Sequence, residues 1–146
     1  MSAERTLLDC QRKLCLLWMG GCLPPIALMS VQSLNNYYGP RDQDAWGWLL
    51  SATMPTLSLI VGSYVASVTG SSTANKSVDS LVFFLSILFS AVYLLVVNCI
   101  LLYSPFSKLN PLDAMHHMNF LLGALQGIVG TCLGVFFTKS HVRSRK

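Results

Sequence analysis

Four apolar stretches, separated by short polar segments, dominate the sequence. They cover residues 14–34, 46–68, 81–103 and 119–137. Because an α-helix rises about 1.5 Å per residue, each stretch is long enough to cross a hydrocarbon layer of about 30 Å. The pattern predicts an all-α integral membrane protein, in which residues 1–146 form one domain, a four-transmembrane-helix bundle with short loops.

The composition supports this class. Apolar residues make up 53% of the chain, charged residues make up 11%, and the mean hydropathy is +0.54. A soluble domain carries about twice that charged fraction, so this chain has too little polar surface to cover a water-exposed globule. The short loops leave no room for a separate enzymatic module. We therefore expect a non-enzymatic protein without a cofactor and without a nucleic-acid partner.

The positive charges predict the orientation in the membrane. Eight of the ten Lys and Arg residues lie in the amino-terminal segment, the middle linker and the carboxy-terminal tail, and the other two are Arg41 and Lys108. Cytoplasmic segments carry the excess of positive charge, and an even number of spans puts both termini on one side. Both termini are therefore predicted to be cytoplasmic. Asn75, which begins an N-glycosylation pattern, would face the cytoplasm as well.

The first span is interrupted by Pro24 and Pro25. Proline lacks a backbone N–H and clashes with the preceding turn, so we expect a kink near Cys22. The carbonyl groups freed there need partners from protein or water, because lipid offers none. Alternatively, residues 19–22 resemble the cleavage site of a lipoprotein secretion signal. The apolar run at 14–18 is too short for a signal core, so an uncleaved spanning helix is preferred.

The cysteines and the aromatic residues near the spans each predict an environment, namely the protein interior and the headgroup layer. The five cysteines show no CxxC or Cys/His spacing, so we expect small buried hydrophobic residues rather than disulfides or metal ligands. Four aromatic residues flank the first polar loop, and aromatic rings with a polar edge favour the headgroup layer of a membrane. These residues are Tyr37, Tyr38, Trp46 and Trp48.

The fourth span carries a stripe of glycines spaced four, three and four residues apart. We call Gly123, Gly127, Gly130 and Gly134 the glycine stripe. These residues lie within an arc of roughly 60° on a helix, where they let another helix approach closely in lipid. That helix would belong to the same chain, to a copy of it or to a different membrane protein. The second span has a similar stripe of small residues, namely Ser58, Gly62 and Ala66.

The spans lack Asp, Glu, Lys, Arg and His. Such residues usually mark proton relays and catalysis in lipid, so a proton-coupled transporter and an intramembrane hydrolase are disfavoured. Five neutral polar residues remain as candidates: Ser86, Ser90, Asn98, Asn119 and Gln126. They would form interhelical hydrogen bonds, worth about 0.6–2 kcal/mol each for the amides, or line the polar path of an oligomeric pore.

A D-x-x-H-H cluster lies near the end of the third predicted loop, residues 104–117. Asp113 with His116 or His117 would share a helical face and hold a metal ion with an outside ligand. Alternatively, Asp113 is the N-cap of a helix and the histidines are solvated. We expect no metal, because two imidazoles and one carboxylate lack a clear fourth ligand. A metal- or lipid-dependent membrane enzyme would depend on this cluster.

Together these features predict a small multi-pass membrane protein that associates through transmembrane helix packing. It would be an oligomeric subunit or a membrane module that works with a partner. The expected partners are the lipid bilayer, further copies of the chain and another membrane or cytoplasmic protein. The alternative function is an oligomeric pore or channel, or an effector that permeabilises a membrane when a soluble partner triggers it. The basic tail at 139–146 would set the topology or bind anionic lipid.

Overall fold

The computed structural model describes residues 7–69, 80–106 and 110–142, with side chains as far as residue 136. The described residues are almost entirely helical and contain no strand. Two short 3-10 turns, Gly39–Arg41 and Ser104–Phe106, lie between longer helices. The α-helices are α1 (Leu7–Leu34), α2 (Asp42–Thr69), α3 (Ser80–Tyr103), α4 (Pro111–His117) and α5 (Asn119–Val142). The expectations for Asn75 and for the end of the basic tail lie outside the described residues.

The prediction of an all-helical fold with four long apolar helices is confirmed. By length and composition, α1, α2, α3 and α5 are each sufficient to cross a membrane. α1 begins at Leu7 rather than at residue 14, and α2 begins at Asp42 rather than at residue 46. The boundaries differ because hydropathy marks the apolar part of a helix, whereas polar turns at its ends make the same backbone hydrogen bonds.

The four long helices form an incomplete ring. α1 lies between α2 and α3 and packs extensively against both, and α3 packs in the same way against α5. α2 and α5 touch each other only sparsely, and we call their junction the α2–α5 seam. Because apolar side chains gain little by leaving lipid for protein, van der Waals contact and interhelical hydrogen bonds hold such a bundle together.

Trp18 and Tyr93 form the centre of the bundle. Their rings stack with centroids 5.8 Å apart, and both side chains are fully buried. The Tyr93 hydroxyl also donates a hydrogen bond of 2.7 Å to the carbonyl oxygen of Ala52. One tyrosine on α3 therefore contacts α1 through its ring and α2 through its hydroxyl. Near the amino-terminal end of α3, Phe83 packs against Phe136 of α5.

α1 continues as a helix through Pro24 and Pro25. Pro25 has no N–H for the carbonyl group of Gly21, four residues earlier. The Asn98 side chain on α3 donates a 3.2 Å hydrogen bond to that carbonyl and a second, of 2.7 Å, to the carbonyl of Leu94. The predicted need for a partner is thus confirmed for Gly21. A side chain at Gly21 would also collide with Leu94, because a Cβ there lies 2.6 Å from its Cδ1.

The α1–α2 connection is held by side-chain hydrogen bonds. Gly39 has φ of +56°, a conformation that glycine adopts without strain. The Ser33 hydroxyl donates to Asp42 and accepts a 2.9 Å hydrogen bond from the Trp46 indole. The Tyr38 hydroxyl donates to Gln32. Burial, followed by the nearby Tyr37 and Asp42, raises the pKa of Tyr38 to about 12, so its hydroxyl remains protonated at neutral pH.

Some side-chain environments differ from the predictions. Cys99 is exposed and Cys132 is half-buried, so the expectation of burial is wrong for Cys99, while three other cysteines are buried. Tyr38 and Trp48 are buried within the protein, which removes most of both rings from the reach of headgroups. Hydropathy could not separate these cases, because an apolar residue in a span is equally suited to lipid and to the protein core.

Candidate functional site

α5 has two different faces. One face buries a stripe of large side chains against the bundle: Leu122, Val129, Leu133 and Phe136. The glycine stripe lies roughly 120° around the helix from this buried stripe. A Cβ atom built on any of the four glycines meets no described heavy atom within 4 Å. Among the described residues, therefore, no other helix fills the space that a side chain would take at these four positions, although Gly134 itself is half-buried.

The contacts of α5 show which side the glycine stripe faces. Phe136 and the backbone of Cys132 contact α3, through Phe83 and Ser86 respectively. Asn119, which lies within about 50° of the centre of the glycine stripe, contacts Trp48 of α2 instead. The glycine stripe therefore flanks the α2–α5 seam and lies away from α3.

The small residues of α2 flank the same seam. Gly62 and Ala66 lie within about 40° of Trp48, which contacts α5, and roughly 160° or more from Trp46, which contacts α1. They are exposed, as is Ser58, and a Cβ built on Gly62 meets no described atom within 4 Å. We call the surface made by both stripes the seam groove: Ser58, Gly62, Ala66, Gly123, Gly127, Gly130 and Gly134.

The structure does not gather the five predicted polar residues on one surface. Asn98 bonds to α1, whereas Asn119 bonds to α2 at the α4 end of the bundle. Ser86 donates to Val82 of its own helix and lies 3.5 Å from the Cys132 carbonyl oxygen. Ser90 is fully buried, and Gln126 is half-buried between the core and the seam groove. Asn98 and Asn119 each make a hydrogen bond to another helix.

Two buried polar atoms in the centre were not anticipated from the sequence. Trp18 Nε1 and Ser90 Oγ lie in fully buried side chains and have no hydrogen-bond partner among the described residues. Trp18 lies at the interface of α1 with α3, where its ring stacks on Tyr93, and Ser90 belongs to α3. A tryptophan in the middle of an apolar span was the available sign, since its N–H usually finds a partner when buried.

A chain of hydrogen bonds closes the α4 end of the seam. The indole Nε1 of Trp48 donates to Asn119 Oδ1 at 2.7 Å. Asn119 Nδ2 lies 3.3 Å from Nδ1 of His116. We call these three residues the seam chain, and they come from α2, α5 and α4. The sequence predicted an interhelical bond for Asn119, but nothing in it indicated Trp48 and His116 as the partners.

Asp113, His116 and His117 of the D-x-x-H-H cluster all lie in the short helix α4. Among the described residues, no group of three His, Cys, Asp or Glu side chains is placed to hold a metal ion. The suggestion that Asp113 is an N-cap is wrong: the N-cap of α4 is Asn110, and Pro111 occupies the first turn. Asn110 also donates to Asp113 at 3.3 Å. The predicted loop therefore contains a short helix, because proline is well suited to the first turn.

Asp42 and Asp44, at the start of α2, have partners within the chain. Arg41 Nε pairs with Asp44 at 3.1 Å on the surface, and Asp42 accepts the hydrogen bond from Ser33. Both aspartates lie in the first turn of α2, where negative charge is favourable. Each carboxylate thus has a structural role at the start of the helix.

The comparisons do not connect this geometry to a known protein. The chain matches no family model, no curated protein and no solved structure. The seam groove is an uncharged surface of small residues, six of which are exposed while Gly134 is half-buried. Its chemistry suits close contact with another helix and offers no nucleophile or general base beyond the Ser58 hydroxyl.

Proposed function

We propose that this protein is a non-enzymatic multi-pass membrane protein that self-associates through the seam groove. The observation that supports the proposal is the glycine stripe, which remains uncovered by the described helices of the chain. In lipid, small residues at a helix surface favour association because they let two backbones approach closely. The protein would act as an oligomeric subunit, with both termini in the cytoplasm.

A second copy of the chain is the occupant that fits the groove best. Copies that insert by the same charge bias have the same orientation, so α5 of one copy meets α5 of the other as a parallel helix. A twofold axis along the membrane normal then brings each stripe against its counterpart. From Gly123 to Gly134 the stripe extends for about 16 Å, and residues 119–136 include no charge that would repel the partner.

The first experiment is the mass of the particle in detergent or nanodiscs, read as copies per particle. We expect a dimer for the wild type and a monomer for Gly127→Leu with an unchanged free energy of unfolding, because the added side chain meets no described atom of its own chain. Ile128→Leu is the control: this exposed site lies about 130° around the helix from the centre of the stripe, so the variant remains dimeric.

Other outcomes would point to the other occupants. A wild-type monomer would contradict self-association and direct the search to a helix of a different membrane protein. A dimer that survives Gly127→Leu would exclude the glycine stripe as the contact. A closed ring of several copies would favour the pore, and solute flux through the protein in liposomes would then test it.

A further inference from the structure

We infer that the α4 end of the bundle carries a lipid-binding rim, which contacts a bilayer at the boundary between acyl chains and headgroups. We call Leu34, Tyr103, Phe106 and Phe120 the apolar rim. It is a second interaction surface, and it includes none of the residues of the seam groove. The inference rests on the proposed insertion of the long helices into a membrane, but it does not depend on self-association.

The apolar rim contains the most exposed large apolar side chains in the part of the chain that the structure describes. The exposed fractions are 90% for Phe120, 88% for Leu34, 80% for Phe106 and 69% for Tyr103, and the other described ones reach at most 66%. The chain itself therefore leaves most of each rim side chain uncovered. Exposed apolar surface of this kind marks a site of contact with a membrane or with another protein.

The positions of the rim residues favour lipid over a protein partner. Leu34 ends α1, Tyr103 ends α3, Phe106 ends the 3-10 turn that follows α3, and Phe120 is the second residue of α5. α3 packs against α1 and against α5, so the rim follows the ends of three neighbouring helices of the ring. A protein bound at one side would leave part of this rim in water, whereas the lipid around a bundle contacts every outer helix.

Exposed polar residues begin just beyond the rim. Asn35 directly follows Leu34 and is exposed. His117, which lies three residues before Phe120, is exposed as well. Apolar side chains are stable in hydrocarbon, and amides and imidazoles are stable in headgroups or water. A change from exposed apolar to exposed polar residues within a few positions is therefore expected where a helix leaves the hydrocarbon layer.

The lengths of the helices agree with this depth. The rise from Lys13 to Leu34 on α1 is about 32 Å, and the rise from Phe120 to Lys139 on α5 is about 28 Å. Both values match a hydrocarbon layer of about 30 Å. The rim thus lies one layer thickness from the lysines at the opposite ends of the same helices. A fixed depth also brings the glycine stripes of two copies to the same height.

Nitroxide labels test the depth of the rim in phosphatidylcholine vesicles. In a cysteine-free background, Leu34→Cys and Phe106→Cys are labelled one at a time. The label's collisions with oxygen, which concentrates in hydrocarbon, are compared with its collisions with a water-soluble nickel chelate. We expect oxygen to dominate at both positions. Asn35→Cys, one residue beyond the rim, is the matched control, and the nickel chelate should dominate there.

The outcomes separate the rim from the proposed function. Dominance of the nickel chelate at Leu34→Cys or Phe106→Cys would overturn the rim, and so would protection from both reagents, which would indicate a protein partner. Leu95→Cys, at an exposed site eight residues before Tyr103, tests membrane insertion by itself. Access of the nickel chelate there would refute the proposed membrane protein. Oxygen at Leu95→Cys together with a nickel-accessible rim would refute the rim alone.

A second measurement retains the five cysteines of the chain. Fluorophenylalanine incorporated in place of phenylalanine gives seven ¹⁹F signals, and Phe106→Leu identifies the one that belongs to the rim. We expect dissolved oxygen to broaden this signal more than the nickel chelate does. The opposite order, or no broadening by either reagent, would contradict the rim even if the cysteine-free protein did not fold.

Discussion

Single atoms decide how closely the helices of this bundle approach each other. Gly21 and Asn98 show this best, because one residue lacks a side chain and the other provides an amide at the same contact. The Gly21 carbonyl, deprived of its helical partner by Pro25, is satisfied by Asn98, and the missing Cβ leaves space for Leu94. A polar group and a small residue therefore solve, at one point, the problem that a proline creates in a helix apolar enough to span a membrane.

Alanine substitutions at Gly20 and Gly21 should show how closely α3 approaches α1 at Gly21. We expect Gly21→Ala to destabilise the protein by about 1–3 kcal/mol, because the new methyl group overlaps Leu94. Gly20→Ala is the matched control: a Cβ there meets no described atom within 4 Å, so alanine should be neutral or slightly stabilising. Reversible unfolding in mixed micelles measures both. Equal effects at the two positions would contradict the close approach of α3 to α1.

At the scale of elements, α5 is the helix whose two faces have different uses. Its buried stripe packs on the bundle, and its glycine stripe, about a third of a turn away, remains open. The spacing of the glycines predicted the second face but not which helices would leave it uncovered. The short helix α4 was missed because Pro111 was interpreted as the end of a helix, whereas it begins one.

Truncation of a buried and of an exposed large side chain of α5 should have unequal consequences. Leu133 is fully buried, so Leu133→Ala should leave a cavity and cost about 2 kcal/mol or more of unfolding free energy. Ile128 is 42% exposed, and Ile128→Ala should cost well under half as much. The same unfolding assay applies. A larger loss at Ile128 than at Leu133 would mean that α5 is rotated from the orientation described.

In the part of the chain that the structure describes, the four long helices form a ring with three extensive junctions and one sparse junction. Extensive contacts unite α2, α1, α3 and α5 in that order, and the seam between the first and last is held at one end by the seam chain. A loosely joined fourth junction flanked by two stripes of small residues distinguishes this bundle from one that satisfies all its helix faces internally. This arrangement is the reason why the proposed self-association is placed at the seam groove.

The orientation of the molecule in its membrane is a prediction that labelling can test. The charge distribution predicts that the α1–α2 connection lies opposite both termini. In a cysteine-free background, Tyr37→Cys should react with a membrane-impermeant maleimide added on the side opposite the cytoplasm, since the side chain is 37% exposed. Asn75→Cys should react only after the membrane is permeabilised. The reverse pattern would invert the topology and place Asn75 where a glycan can be added.

The sequence alone determined that there are four long helices and where the glycine stripe runs. A helix in lipid must satisfy its backbone hydrogen bonds within itself, so length and hydropathy suffice to identify it. The tertiary structure alone decided which faces are covered and which amides meet which partners. Cys99 and Leu121 are as apolar as Cys10 and Leu133, but only the latter pair is buried. Lipid and protein core accept such side chains equally, so only the packing of neighbouring helices distinguishes them.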